Sequence, residues 1–153
     1  MYGFSRKVEM HMSKKIIVKE ARGPLQTATV EAQTREDCVA QLFPGQRDML
    51  FIPLNLTDTL YLVVDGSPEN TLSENIYYIE EDKFAPPAPK IAKGMVMIIS
   101  VEWTRERGVK IANLVNLTDD DVFFAYAYVD ESYQKSLRED MIRREKEAEQ
   151  GTE

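Results

Sequence analysis

One cysteine and one histidine are all that this 153-residue chain has of the side chains that most often carry nucleophilic or metal chemistry. With Cys38 alone, an internal disulfide and any multi-thiolate metal site are excluded, and the residue is expected as a small buried hydrophobe. With His11 alone, and that within the first eleven residues, neither Cys38 nor any serine has the base that a nucleophilic triad needs. His and Cys metal ligation fails for the same reason. The G-x-x-x-x-G-K-[ST] and G-x-G-x-x-G phosphate loops are missing too. The sequence therefore assigns no catalytic residue, no metal site and no cofactor, and a non-enzymatic protein is expected.

Long apolar runs are also lacking. No stretch approaches the roughly 18 residues of a membrane span, and MYGFSRKVEMHMSKK has no apolar segment of the secretory kind, so a cytoplasmic protein is expected. In that compartment Asn55-Leu56-Thr57 and Asn116-Leu117-Thr118, which both fit the N-glycosylation pattern, go unmodified.

What is present is an acidic chain, of net charge −7 and 43% hydrophobic. That balance argues against binding a nucleic-acid backbone, which requires concentrated Lys and Arg. It leaves ordinary solubility, or imitation of nucleic-acid charge on a basic protein surface. The length suits one domain. Residues 1–11 read as an N-terminal appendage, because Met12 opens a basic and then β-branched run; 12–145 read as a single domain and 146–153 as a frayed acidic tail.

Along the chain, Ile16–Val18 and Leu25–Ala32 read as strands around a turn at Gly23-Pro24. Thr34 then takes a helix N-cap position with an acid three residues on, leading to Cys38, Val39, Leu42 and Phe43 before Pro44-Gly45 ends the helix. Met49–Leu54 and Leu60–Val64 are strand-like. Lys83–Pro89, with three prolines in four residues, fits a surface connection or edge cover. Gly94–Trp103 (GMVMIISVEW) is the most hydrophobic segment and reads as a central strand, followed by a hairpin turn over Arg105–Gly108.

The tetrapeptide NLTD occurs twice, in two different contexts. At Asn55–Asp58 it connects or lies within strands. At Asn116–Asp119 it precedes Asp120 and Asp121, so that Thr118 caps a helix whose positive end faces three carboxylates. Val122, Tyr126, Val129, Tyr133, Leu137 and Met141 recur at helical spacing and predict one long C-terminal helix from about Asp119, with a strand over 122–129 as the competing reading. The fold class is α+β: a mostly antiparallel sheet of about five to seven strands with a short helix and a long C-terminal helix.

Two groups of residues carry functional colour. Tyr77, Tyr78, Trp103, Arg105 and Arg107 combine aromatic faces with guanidinium forks, the chemistry of a small nucleotide pocket; packing of the aromatics with solvated arginines is the alternative. Glu80, Glu81 and Asp82 form an acidic run suited to a partner's basic surface. Consecutive acids, here and at Asp119–Asp121, do not converge on one point, so no metal is assigned to either run.

In order and spacing, "IIVKEARGP", Asn75 in "LSENIYY", "GMVMIISV" and "NLTDDDV" resemble a domain-of-unknown-function family frequent in phages and mobile elements of Gram-positive bacteria. The resemblance spans Lys14 to Val129 and departs from the family in the "EEDKFAPPAPK" insertion and the extended C-terminal helix. It carries no catalytic residues. It implies a loop position for Asn75, which joins the candidate ligand-binding residues, and the context of a small accessory protein of a phage or mobile element. Together with the missing catalytic groups and the acidic balance, a protein that binds and blocks a host factor, counter-defence included, is expected. The alternative is a protein that binds and sequesters a nucleotide signal. Partners are then a host protein or a small nucleotide, with self-association open and no membrane involved.

Overall fold

In the computed structural model, β-branched and aromatic runs assemble into a six-stranded antiparallel sheet ordered β2-β1-β7-β4-β3, with β8 paired to β7. The structure describes residues 13–43, 45, 48–67, 72–79 and 87–151; the proposed appendage lies outside them. The strands are β1 (Ser13–Lys19), β2 (Leu25–Glu31), β3 (Met49–Pro53), β4 (Leu60–Asp65), β7 (Val96–Glu106) and β8 (Val109–Val115). The apolar run that predicts a central strand is β7, bonded to β4 along one side and to β1 and then β8 along the other. Its hairpin to β8 turns at Arg107 (φ 52°) and Gly108 (φ 79°), the pair of left-handed residues that a tight two-residue turn demands.

Strand alternation sorts the core into two layers. Ile16, Tyr61, Val63, Met97, Ile99 and Val101 point to the first face, and Ile17, Leu60, Leu62, Val96 and Ile98 to the second. The first face is covered by the short helix α1 (Arg35–Leu42), which starts at the Thr34 N-cap and ends at Phe43. Its one fully buried side chain is Cys38, against Met97.

The second face is closed more thoroughly. A separate hairpin, β5 (Glu74–Ile79) with β6 (Ala88–Lys93), places Tyr77 and Ala92 on it, and helix α2 (Asp119–Tyr128) adds Ala125 with Val129 just beyond. The sequence reading has neither of these strands. Pro89 sits in β6 because that strand pairs only with β5, where a missing N–H is tolerated.

The single long C-terminal helix is corrected to two. Thr118 and Asp121 form a reciprocal capping box that starts α2 as expected, but the chain breaks at Val129-Asp130 and a second helix, α3, runs from Glu131 to Gly151. The stripe divides there as well. Val122 and Val129 pack on the second face, whereas Leu137 and Met141 are exposed; the side chain of Tyr133 lies outside the described residues. The tail from 146 to Gly151 is helical and exposed.

Candidate binding surface

The residues expected to form a nucleotide pocket are divided by the sheet. Trp103 shares the first face with Met97, Ile99 and Val101, while Tyr77 belongs to the second. Tyr78 is buried, with the Arg138 guanidinium of α3 5.4 Å from its ring centre. Trp103 has Arg35 and Lys110 over its ring, at 5.4 and 4.8 Å, and its indole Nε1 donates to the Asp58 carbonyl at 2.7 Å. Its donor is therefore engaged and its ring already carries cations. Arg105 and Arg107 are exposed at the tip of the β7–β8 hairpin. Trp103 and Tyr77 thus lie on opposite faces of the sheet, and the structure does not bring them together.

Asn75 is likewise corrected, from a loop position to strand β5. It is 1% exposed, accepts from Lys19 Nζ at 2.5 Å and donates to the carbonyls of Lys19 and Gly94, each at 2.8 Å. Lys19 is equally buried. The amide thus fastens the β5–β6 hairpin to the end of β1, satisfying backbone groups that burial would otherwise leave costly. Gly94 is needed at this joint: its φ is +84°, and a Cβ there would come within 2.8 Å of Leu72. Glu80, Glu81 and Asp82, the expected partner-binding acids, lie outside the described residues.

Burial pushes the Cys38 thiol up to about 11, which keeps it protonated and unreactive near neutrality. Burial, with the Asp58 carboxylate adding to it, raises the Tyr61 phenol above its ordinary value against the opposing effects of Arg35 and Trp103. Among the described residues no group of three His, Cys, Asp or Glu side chains is placed to hold a metal, and no helix is long and apolar enough to cross a membrane.

Among the described residues, one open part is the margin of the first face. Between the second half of α1 and strand β3 lies a hollow of about 410 Å³, lined by Val39, Ala40, Phe43, Met49 and Phe51 with Glu36 and Gly45 at its border. Arg35 holds the back of this hollow in place. Its guanidinium lies 4.0 Å from the Phe51 ring centre and 5.5 Å from that of Tyr61, and it pairs with Glu36 at 3.1 Å. Phe51 and Tyr61 meet edge to face, with ring centres 6.4 Å apart.

Strand β3 ends the sheet, and its backbone is half used. Leu54 N–H donates to Leu60 O, and Gly66 N–H to Asp48 O, both at 2.8 Å. With the observed register, this makes Leu50 and Ile52 the residues bonded to β4 and turns the backbone groups of Met49, Phe51 and Pro53 outward. No strand among the described residues pairs with that side. Met49 and Phe51 therefore present unpaired N–H and C=O groups at the rim of an apolar hollow. Neither property was found from the sequence. MLFIP reads as an interior strand by composition, and only the strand order makes it an edge.

No family model, no curated protein and no solved structure matches the chain.

Proposed function

We propose that the protein is a non-enzymatic accessory protein of a phage or mobile element that binds a host protein in the cytoplasm and blocks it, with host defence as the class of target. The observation that carries this reading is the apolar hollow beside the uncovered β3 edge. Soluble proteins ordinarily blunt such an edge with charge, proline or a covering loop, because it invites association. Here the strand is Met49-Leu50-Phe51-Ile52-Pro53, without a charge along it; Pro53 blunts only its last outward position and leaves those of Met49 and Phe51 open among the described residues. The phage context comes from the resemblance of "GMVMIISV" and "NLTDDDV", in order and spacing, to the family named above. The acidic balance suits a partner with a basic surface. Sequestration of a nucleotide has no comparable support, since its aromatic residues fall on opposite faces.

Ala40 is exposed on α1 and lines the hollow, so Ala40→Arg fills it without disturbing the core. Wild type and this variant, each tagged and expressed in a Gram-positive bacterium, are to be purified side by side and any stoichiometric partner rebuilt from pure components. A partner that forms the complex with wild type and not with Ala40→Arg supports the reading. Equal binding of both, or no partner in the pulled-down material, contradicts it.

A further inference from the structure

We propose that the partner is held by strand addition: an extended segment of the partner protein pairs with β3 as a seventh strand of the sheet, and its apolar side chains enter the hollow beside α1. The proposal rests on the binding role given above and specifies how the contact is made.

The argument is one of matching. Unpaired main-chain groups at Met49 and Phe51, two residues apart on one side of a strand, are complemented in spacing and direction by another strand. Every pairing in the sheet is antiparallel, and the sheet's twist continues most simply with another antiparallel neighbour. In that arrangement residues directly opposite each other point to the same face. Partner residues opposite Met49 and Phe51 therefore lie on the first face, against Phe43, Val39 and Ala40. The residue between them falls beside Leu50, which is 52% exposed. Glu36 and Asp48 stand exposed at the rim, so basic residues flanking the apolar ones are favoured. The occupant is thus an extended segment with alternate apolar residues and Lys or Arg close by.

On the other edge of the sheet this same chain takes up the two end carbonyls, while Thr27 and Thr29 between them keep outward backbone groups with no bond from the described residues. On β2 the outward residues are Leu25, Thr27, Thr29 and Glu31, because Lys15 and Ile17 turn their backbone groups the other way, toward Asn116 and β7. The Tyr126 hydroxyl donates to Leu25 O at 2.7 Å and Gln41 Nε2 to Glu31 O at 2.6 Å, so both ends of that edge are capped. Among the described residues β3 has no such caps.

Met49→Pro removes one outward N–H and none of the bonds to β4, which makes it a selective test. The probe is a synthetic peptide of alternating leucine and lysine, six residues long, titrated into the full chain labelled for NMR. The expected result is amide shifts and new exchange protection at Met49 and Phe51, and at least a tenfold loss of affinity in Met49→Pro relative to Met49→Ala, which loses the same partly buried side chain but keeps the N–H. Thr27→Pro on the β2 edge is the matched control and is expected to leave the affinity unchanged. Peptide contacts centred on α3, equal affinity for Met49→Pro and Met49→Ala, or no binding at millimolar peptide overturns the proposal. So does a wild-type dimer that Met49→Pro dissolves, because the edge would then be taken by a second copy. The two readings fail separately: a captured host partner that Met49→Pro retains ends strand addition and leaves the binding role, whereas failure to capture any partner ends the role itself.

Discussion

The two outer edges of the sheet are built from opposite materials. β2 reads Leu-Gln-Thr-Ala-Thr-Val-Glu, polar at most outward positions, and side chains from α1 and α2 reach over to occupy its terminal carbonyls. β3 reads Met-Leu-Phe-Ile-Pro, apolar throughout, and Arg35 packs on Phe51 without covering the backbone beyond it. Both edges face the same problem, unpaired main-chain groups that attract other strands. Among the described residues the ends of β2 are capped and its middle is polar, whereas β3 is apolar, uncapped and beside a hollow. The proposed binding surface rests on that asymmetry.

The comparison can be broken first at β3 itself. Leu50 bonds inward to β4 and Met49 outward, so Leu50→Pro should cost about 3 kcal/mol or more, and Met49→Pro, which loses only a partly buried side chain, about 1 kcal/mol. Chemical denaturation of the two variants measures this, and equal losses would mean that the register is wrong.

Cys38 seats α1, whose Val39 and Ala40 line the hollow, on the first face of the sheet. Its thiol is held protonated by burial, to about 11 from an ordinary 9.0, so the folded state retains a proton that the unfolded state releases. The contribution is complete below pH 9 and is lost as pH rises toward 11, amounting to roughly 2–3 kcal/mol. Unfolding free energies across that interval should fall more steeply for wild type than for Cys38→Ala. Parallel curves would show that α1 opens to solvent at its centre.

At the β2 edge, Tyr126→Phe deletes the cap on Leu25 and should cost about 1 kcal/mol. An unchanged stability in chemical denaturation would remove the claim that the Leu25 carbonyl is capped.

The two NLTD segments offer a smaller contrast. Thr118→Ala removes half of the capping box that seats α2 and should cost about 1 kcal/mol. Thr57→Ala should cost less than half of that, because in the first copy it is Asn55 whose Oδ1 accepts the Thr59 and Leu60 amides, while Thr57 meets only the Thr59 hydroxyl. Equal losses in denaturant would mean that one of the two contexts is misassigned.

These cases also mark what is legible in the sequence. The helix caps at Thr34 and Thr118 are local, four residues end to end, and GMVMIISVEW needs only its own composition to be read as a central strand. The β5–β6 hairpin is not local in that sense: its strands are separated by the proline-rich insertion and are stabilised by contacts with the second face. Asn75 looks like a loop residue until Lys19, 56 positions away, and Gly94 are brought to it. A lysine near a turn gives no sign that it will be buried. Tyr77 and Trp103 are both aromatic and both packed, but only the alternation along β7 combined with the placement of the hairpin reveals that they face opposite ways. The open edge of β3 depends on strand order, which no single segment encodes.

Amide hydrogen exchange across β3 in the free protein tests the central claim most directly. If the edge is open, the Leu50 and Ile52 amides are protected by their bonds to β4 while those of Met49 and Phe51 exchange close to the rate of an unprotected chain. Protection of Met49 and Phe51 equal to that of their neighbours would contradict the account, because the edge would already be paired in the protein as it stands.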